Sequence, residues 1–352
     1  MAARFCVKRL AKSRSKSFSS SAVYQLRYVE VMDALVEQVM ETQRVQPRSV
    51  NIETFAWGYN GEDKLQSMSE MLQKMGITVN AYLPAADLQT IKKASRAALN
   101  IVRRKKWALA MEQRLWYAVS SMLPIMQEWH GIEGISDLYR QIGKMLACEN
   151  AVERVLQEEY ERVAARYQEL RADFAKYKFC LIAHGIAYLP DALRVYQQDY
   201  GLPITKICII MNPSYQAETG LDDAMMQRFK DRIELAKAEY GCDAEILLEP
   251  SEDALREAAQ SCDFVICNGH PRYAALDVPV LYNLFDRSVW SYQGFVDIME
   301  EVWQMLQQPQ RTGSNLLLSK LAYDPVFYPM READKDSKAS RELYSRVWRQ
   351  RK

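Results

Sequence analysis

Short apolar runs alternate along the chain with longer stretches whose apolar residues recur every three or four positions. The runs at 179–183, 204–211 and 264–267 hold mostly consecutive apolar residues rather than an alternation of apolar and polar ones. A parallel sheet that helices cover on both faces requires such runs, because neither face of its strands meets water. The longer stretches have the period of amphipathic helices. The pattern therefore predicts an α/β fold built on parallel sheets.

The alternation of strands and helices occurs twice and divides the chain into two parts. In the first part we predict strands over 49–57, 77–83 and 97–102, followed by a long helix over 107–126. A charged helical stretch over 137–177 separates this part from the second, where the alternation restarts. The predicted fold class is therefore α/β, with tandem doubly wound parallel-sheet (Rossmann-like) domains. The predicted divisions are an arm at 1–23, a first domain at 24–147, a second domain at 148–308 and a polar tail at 309–352.

Charge and hydropathy exclude two classes of partner. The chain has 46 basic and 45 acidic residues, a net charge of +1, which provides no global positive field for binding nucleic acid. No apolar stretch approaches the ~20 residues that a bilayer-spanning helix needs. We therefore expect a cytoplasmic protein that binds neither nucleic acid nor a membrane.

The first 23 residues are rich in basic residues and serine, and no acidic residue occurs before Glu30. This composition is typical of a mitochondrial transit peptide. The segment has no apolar core of the kind that a secretory signal needs. A flexible or partner-binding arm is the interpretation that we prefer, and a targeting segment is the alternative.

The cysteines show no pattern typical of a metal site. There are seven, an odd number, and no two form a CxxC pair. Cys180, Cys208 and Cys267 each lie within an apolar run, where cysteine behaves as a small hydrophobic residue. Cys262 and Cys267 bracket one predicted strand, and their spacing of five residues predicts side chains on opposite faces. We therefore expect reduced thiols within a hydrophobic core.

Two of the three histidines stand where predicted strands end. His184 closes the first strand of the second part, and His270 follows the strand at 264–267. A histidine beside a reducible ligand can deliver protons, because its unperturbed pKa is about 6.5. The alternative is an ordinary loop histidine that makes one hydrogen bond. The third histidine, His130, is predicted to lie at the C-terminus of a helix.

Glycine and asparagine residues accumulate at the same strand ends. The GYNG turn at 58–61 links a strand to a helix, where glycine permits close backbone approach and a helix N-terminus favours an anion. The turn lacks GxGxxG and GKS/T, so a simple tight turn is the alternative. Open α/β sheets bind ligands outside the carboxyl ends of their strands. The residues that we expect to bind a cofactor in such a cleft are Gly58, Asn60, Gly61, Gly185, Asn212, Asn268 and Trp290.

Three short motifs near the end of the second part follow one another in a particular order. NGH at 268–270 follows a strand, FDR at 285–287 follows a second apolar run, and YQGF at 292–295 opens an amphipathic helix. In order and spacing they resemble the C-terminal signature of the nitrogenase component-one superfamily, which includes nitrogenase molybdenum–iron protein subunits and dark protochlorophyllide reductase subunits. The resemblance covers about residues 20 to 308. It implies the same α/β architecture and a role in an oxidoreductase.

The chain departs from this family pattern in two ways that concern the metal centre. Members usually begin with a further α/β domain whose cysteines hold an iron–sulfur cluster, and this chain starts roughly where that domain ends. In the cofactor-binding nitrogenase subunit a histidine metal ligand stands where the YQGF register places Trp290, whose indole cannot coordinate a metal. We therefore expect no cofactor bound by this chain alone and no metal ligands in it. An iron–sulfur cluster or other metallocofactor is expected in a partner subunit.

The resemblance implies a subunit of a nitrogenase-like oxidoreductase complex that shapes the cleft for substrate and cofactor without holding a complete metal cluster. Its partners in the hetero-oligomer would be a homologous nitrogenase-like subunit and an iron protein that donates electrons. His184 and His270 are the proton donors in this hypothesis. The alternative is a metallocofactor assembly scaffold or a non-catalytic small-molecule-binding protein.

Overall fold

The computed structural model divides the chain into two compact units, one formed by residues 1–164 and 287–295 and the other by residues 165–286 and 296–352. The residues whose structure it describes are 31–32, 34–53, 61–102, 121–124, 130–184, 189–210, 223–267, 273, 276, 278–282 and 290–307. The predicted arm and tail lie outside these residues. Each unit has its own parallel sheet with helices beside it, so the prediction of an α/β fold with tandem parallel sheets is confirmed.

The first unit has a sheet of four parallel strands in the order β2-β1-β3-β4. Its elements are β1 (Gln46–Glu53), α1 (Gly61–Lys74), β2 (Thr78–Leu83), α2 (Leu88–Lys92), a 3₁₀ turn (Ala94–Arg96), β3 (Ala97–Val102), β4 (Ser121–Pro124), α3 (Gly131–Met145) and the first part of α4 (Glu149–Phe174). Helical residues 31–32 and 34–38 precede β1. Asp87 caps α2, because its side chain accepts hydrogen bonds from the backbone N–H groups of Gln89 and Thr90.

One side of α1 is buried, as the helical spacing of its apolar residues predicts. Met68, Met71, Leu72 and Met75 follow one another at intervals of one or three residues along one side of α1 and its C-terminal turn, and each is at most 1% exposed. Gly76 then ends the helix with a φ of 73°, a left-handed conformation that glycine adopts without strain. The chain is thereby turned directly into β2.

Two predictions for the first unit are wrong. The predicted helix over 107–126 includes Ser121–Pro124, which forms β4 and pairs in parallel with β3. Strand pairing satisfies backbone hydrogen bonds and here outweighs the local helical period. The predicted single helix over 137–177 is two helices, α3 and α4. They are separated where Ala147 has a φ of 50°, which a right-handed helix does not contain.

The second unit has a sheet of five parallel strands in the order β7-β6-β5-β8-β9. Its elements are the remainder of α4, β5 (Phe179–His184), α5 (Leu189–Leu193), a π-helical segment (Arg194–Tyr200), β6 (Ile204–Ile210), α6 (Asp223–Tyr240), β7 (Glu245–Leu248), α7 (Glu252–Gln260), β8 (Phe264–Cys267), β9 (Val280–Tyr282) and all but the first turn of α8 (Tyr292–Gln307). Ser251 caps α7 by accepting a hydrogen bond from the backbone N–H of Ala254, as the sequence predicts.

Polar contacts hold α8 against the C-terminal part of α4 in the second unit. The guanidinium of Arg166 makes a two-pronged ion pair with Glu300, and its second bond is 2.7 Å long. The indole N–H of Trp303 donates to Asp173 (2.9 Å). Among the helices that the structure describes, none is long and apolar enough to cross a membrane.

Candidate functional site

The strand order of the second sheet reverses direction between β5 and β8. The chain proceeds from β5 to β6 and β7 on one side and later to β8 and β9 on the other, so its direction reverses between β5 and β8. Ile182 of β5 is level with Cys267 of β8, and His184 of β5 is level with Ile210 of β6. Open α/β sheets bind ligands outside the carboxyl ends of their strands at such a reversal. This edge is the candidate site of the second unit.

Five of the predicted site residues stand, in the sequence, at or shortly after the ends of these strands. His184 is the last residue of β5. Gly185 follows β5 directly, Asn212 is the second residue after β6, and Asn268 and His270 are the first and third residues after β8. These last four lie outside the described residues. The strands that precede these four residues in the chain are β6, β5 and β8. The structure shows that these strands are immediate neighbours in the sheet.

The first sheet has a corresponding reversal between β1 and β3. Its order places β2 on one side of β1, and β3 and β4 on the other. Gly61 is the first residue of α1, the helix that follows the switch strand β1. Gly58 and Asn60, between β1 and α1, lie outside the described residues, as does the FDR motif at 285–287. Gly61 and Trp290 belong to the first unit, and His184 belongs to the second.

A row of buried polar residues on β1 was not singled out from the sequence. Ser49, Asn51 and Glu53 are each at most 2% exposed. They occupy alternate positions, which places them on one face of the strand. The expectation of uniformly apolar strands is therefore wrong for β1. A signal was present, because the segment SVNIE at 49–53 alternates polar and apolar residues.

Three asparagines from neighbouring strands form a hydrogen-bonded group on this face, which we call the asparagine cluster (Asn51, Asn80 and Asn100). Asn51 Nδ2 donates to Asn100 Oδ1 (2.7 Å) and to the backbone carbonyl of Ala94 (2.8 Å). Asn80 Nδ2 donates to Asn51 Oδ1 (2.8 Å). The cluster ties β1, β2 and β3 to the 3₁₀ turn, and it fixes β1 against β3 at the reversal of the first sheet. Among the described residues, Asn100 Nδ2 is buried without a hydrogen-bond partner.

Trp290 is held in place by α3 within the first unit. Its side chain is 4% exposed, and its backbone carbonyl accepts a hydrogen bond from the hydroxyl of Tyr139 (2.6 Å). The hydroxyl of Tyr292 lies 2.6 Å from Oγ of Ser136, which is also on α3. Ser291 caps the first turn of α8 through its Oγ. The YQGF motif therefore begins α8 as predicted, and α3 anchors both this turn and Trp290.

The two tyrosines of this anchor are structural donors rather than acids or bases. Burial raises the pKa of Tyr139 well above its usual range, because its hydroxyl has no water to solvate a phenolate. Burial likewise raises the pKa of Tyr292, although the contact with Ser136 opposes the shift. Both hydroxyls therefore stay protonated at neutral pH; that of Tyr139 holds the Trp290 carbonyl, and that of Tyr292 holds the start of α8 against Ser136.

Replacing Tyr139 by phenylalanine is expected to lower the free energy of unfolding by about 1–2 kcal/mol, because a buried carbonyl loses its donor while the ring still packs. Urea unfolding of the variant measures the change. Tyr177→Phe is the matched control, since the Tyr177 hydroxyl accepts a hydrogen bond from Gln307 (3.2 Å) at an exposed site. Equal effects of the two substitutions would contradict the anchoring role of Tyr139.

His130 lies beside Trp290 and not at the C-terminus of a helix. It immediately precedes α3, so the predicted C-terminal cap is wrong. The apolar positions of α3, among them Ile135, Leu138 and Ile142, begin only after His130, and they set where the helix starts. The imidazole stacks on the indole of Trp290 with ring centroids 6.3 Å apart and an interplanar angle of 25°.

The described donors do not form a metal site. No group of three or more His, Cys, Asp or Glu side chains in the described ranges is arranged to hold a metal ion. The cysteines in these ranges are free and buried, and they are Cys148, Cys180, Cys208, Cys242, Cys262 and Cys267. Their thiols are mostly core groups, as the sequence suggested.

One prediction about the cysteines is wrong. Cys262 and Cys267 share a single hydrophobic cluster with Cys180 and Cys208 on one face of the second sheet, and they do not point to opposite faces. Cys262 lies in the turn before β8, which begins only at Phe264. The alternation of side chains that holds along a strand therefore does not extend to Cys262.

Comparison with protein families gives a match over most of the chain. The family model described as nitrogenase component 1 type oxidoreductase matches residues 20–307. No curated protein sequence matches the chain. The matched span contains all the described strands of both sheets.

Two solved structures with a similar fold are both of nitrogenase. Nitrogenase Cp1 at pH 6.5 matches 81% of this chain and 63% of its own length, with a TM-score of 0.53 and 13% identity. Nitrogenase Cp1 at pH 5 matches 81% of this chain and 62% of its own, with a TM-score of 0.54 and 14% identity. The chain thus spans less than two thirds of either solved chain. At these identities the likeness concerns the fold alone.

Proposed function

Since the chain belongs to the nitrogenase component 1 type oxidoreductase family, we propose that it is a subunit of a nitrogenase-like oxidoreductase complex. Its proposed part in that complex is to shape the cleft for substrate and cofactor and to deliver protons. The observation that carries this proposal is the adjacency of β6, β5 and β8, because these strands lead into Asn212, His184 and His270. Imidazole groups are suited to the task, since they exchange protons near neutral pH.

The residues at the edge of the second sheet have separate tasks in this proposal. His184 and His270 donate protons to the bound substrate as it is reduced. Asn212 and Asn268 carry amide groups that can donate hydrogen bonds to polar atoms of a ligand. Gly185 lets the backbone after β5 approach a ligand closely, because it has no side chain.

In this proposal the first unit offers ligand contacts of its own. Gly58, Asn60 and Gly61 offer a backbone that a ligand can approach closely and the N–H groups of the first turn of α1. Because Trp290 is buried, its proposed part is to shape the ligand site from behind, and Tyr139 holds it there through the hydrogen bond to its carbonyl. These contacts bind and orient and do not transfer protons.

The described side chains do not fit a complete iron–sulfur cluster or metallocofactor held by this chain alone. The indole of Trp290 has no donor atom for a metal, since its nitrogen carries a proton. Four of the six described cysteines lie inside the hydrophobic cluster of the second sheet. Two of these, Cys180 and Cys262, lie away from the carboxyl edge of the sheet, because Cys180 is near the start of β5 and Cys262 precedes β8. We therefore infer that the metal centre belongs to a homologous partner subunit. An iron protein would donate the electrons.

The iron content of the chain tests this proposal. We expect the chain, purified anaerobically, to contain no iron or acid-labile sulfide by itself and to co-purify with stoichiometric iron when a homologous chain is co-expressed. Chemical analysis and the ultraviolet–visible spectrum measure both. Iron held by the isolated chain would contradict the assignment of the cluster to a partner. A complex that transfers its metallocofactor without reducing a substrate would indicate an assembly scaffold, and an iron-free chain without any partner would indicate a small-molecule binder.

A further inference from the structure

The first unit carries a group of positively charged side chains at the edge of its sheet where β1 and β3 begin. The segments 41–48 and 92–97 lie side by side at this edge, because the backbone N–H of Glu41 donates to the carbonyl of Lys92 (2.8 Å). Together the two segments contain five basic residues and one acidic residue, which is Glu41. The edge is therefore locally basic, although the net charge of the whole chain is only +1.

The single acidic residue of these segments is already used in an ion pair. Glu41 pairs with Lys92 (3.4 Å). The other four cations make no ion pair within the described part of the chain, and we call them the basic edge (Arg44, Arg48, Lys93 and Arg96). The first three are exposed and the fourth is half-buried. Close like charges repel one another, so such a group is best stabilised by an acidic partner.

A bulge in β1 presents Arg48 to solvent. Gln46 is level with Ala97 and Val50 is level with Leu99, so β1 has three residues where β3 has one. Arg48 lies in this bulge with a φ of 52°, in the left-handed region that residues other than glycine rarely adopt. Bulges can re-aim a side chain, and backbone strain is typical of functional positions. An arginine at this strained, exposed position therefore indicates a task for its guanidinium.

Ser49 holds the bulge from the buried side. Its side chain is 0% exposed, and its Oγ donates to the carbonyl of Gln46 (2.6 Å) and accepts from the backbone N–H of Ala98 (3.3 Å). The carbonyl of Arg96 lies 3.4 Å from the same Oγ. Ser49 thus supplies hydrogen bonds to backbone groups of both strands at the bulge. It also fixes the backbone of Arg48 beside that of Arg96.

We propose that the basic edge is a docking surface for an acidic segment of a partner protein, whose Asp and Glu carboxylates bind the guanidinium groups. Three of its four cations are arginines, and the planar N–H fork of arginine binds a carboxylate through two hydrogen bonds at once. Arginine is also enriched at protein interfaces, where lysine is depleted. Val45, between Arg44 and Arg48 in the chain, is half-buried and offers an apolar contact.

An acidic protein fits this surface better than a nucleic acid does. Neither segment, 41–48 or 92–97, contains an aromatic residue on which a base could stack. The net charge of +1 provides no wider positive field along which a nucleic-acid backbone could continue. The surface lies where β1 and β3 begin, opposite to the carboxyl ends of these strands. A protein bound there would leave the carboxyl edge of the first sheet uncovered.

Binding of fluorescein-labelled poly-L-glutamate to the full-length chain, measured by fluorescence anisotropy, tests the proposal. We expect binding at low salt that weakens as sodium chloride is added. The R44Q/R48Q/R96Q variant should bind roughly 10-fold more weakly, because it loses three charge-assisted contacts. The matched control, R228Q/R232Q/R256Q, removes three exposed arginines of α6 and α7 and should bind like the unaltered chain. Absence of binding, equal loss in both variants, or tighter binding of oligothymidylate or of phosphatidylserine vesicles would overturn the proposal.

A second variant separates binding from folding at the bulge. Arg48→Gly should weaken poly-L-glutamate binding roughly 3-fold, because one guanidinium is lost. It should not lower the midpoint of urea unfolding, since glycine adopts the left-handed conformation without strain and this offsets its greater freedom in the unfolded chain. Ala147→Gly is the matched control, because Ala147 is exposed and has a φ of 50° but no charge, so its binding should be unchanged. Unchanged binding by Arg48→Gly would show that the bulge does not serve docking.

Discussion

Replacing His184 or His270 by glutamine in the assembled complex is expected to lower the rate of substrate reduction roughly 100-fold, as loss of a general acid usually does. Glutamine can still donate a hydrogen bond, but it cannot release a proton at neutral pH. The two histidines follow neighbouring strands, β5 and β8, at the reversal of the second sheet, so each is expected to act on the same bound ligand. Electron-driven turnover with the iron protein as donor measures the effect.

The pH profile separates proton delivery from simple packing at these positions. Loss of a proton donor should remove one limb of the pH profile, whereas a packing defect should lower the rate equally at every pH. Co-purification with the partner subunit and the iron content of the complex should be unchanged in both variants. Full turnover in the His184→Gln, His270→Gln double variant would contradict the assignment of proton donors.

Replacing Asn51 by alanine is expected to lower the free energy of unfolding by about 3 kcal/mol, which is among the larger effects of a single substitution. Asn51 is 2% exposed and takes part in three side-chain hydrogen bonds, to Asn100, to Ala94 and from Asn80. Alanine would leave the buried Asn100 and Ala94 groups without this partner, and it would also free the amide of half-buried Asn80. Urea unfolding measures the loss, and hydrogen exchange at the backbone amides of β1 and β3 locates it in the first sheet.

A surface amide provides the matched control for Asn51. Gln66 donates to Glu70 at an exposed position on α1 (2.9 Å), so Gln66→Ala should change the free energy of unfolding by no more than about 0.5 kcal/mol. A double-mutant cycle between Asn51 and Asn80 should give a coupling energy of about 1 kcal/mol, because their side chains bond directly. Stability unchanged by Asn51→Ala would show that the asparagine cluster does not hold the first sheet together.

Buried central strands could be predicted from the sequence almost residue for residue. The strand predicted over 97–102 is β3, Ala97–Val102, and the run at 264–267 is β8, Phe264–Cys267. Both strands are buried on both faces, so their apolar character is continuous and visible locally. β4 has only four residues, and it is a strand because β3 lies beside it. Nothing in Ser121–Pro124 taken alone carries that information.

The candidate site was predictable in part, for the same reason. Local patterns predict that strands end at or before His184, Asn212 and His270. That β6, β5 and β8 are neighbours depends on the order of strands in the sheet, which local patterns do not determine. The asparagine cluster and the contact between the thiols of Cys180 and Cys208 also escaped prediction. Their members are far apart in the chain, such as Asn51 and Asn100 or Cys180 and Cys208, and they meet only through strand pairing.

The sequence by itself determined the α/β class, the ends of the central strands and the resemblance to the nitrogenase component-one family, because hydrophobic period, caps and short motifs are properties of neighbouring residues. The tertiary structure decided the strand order, the pairing of β4 with β3, the break between α3 and α4, and the grouping of buried asparagines and thiols. Each of these depends on hydrogen bonds and packing between residues that are distant in the chain. Their energies arise only when the backbone brings the partners together.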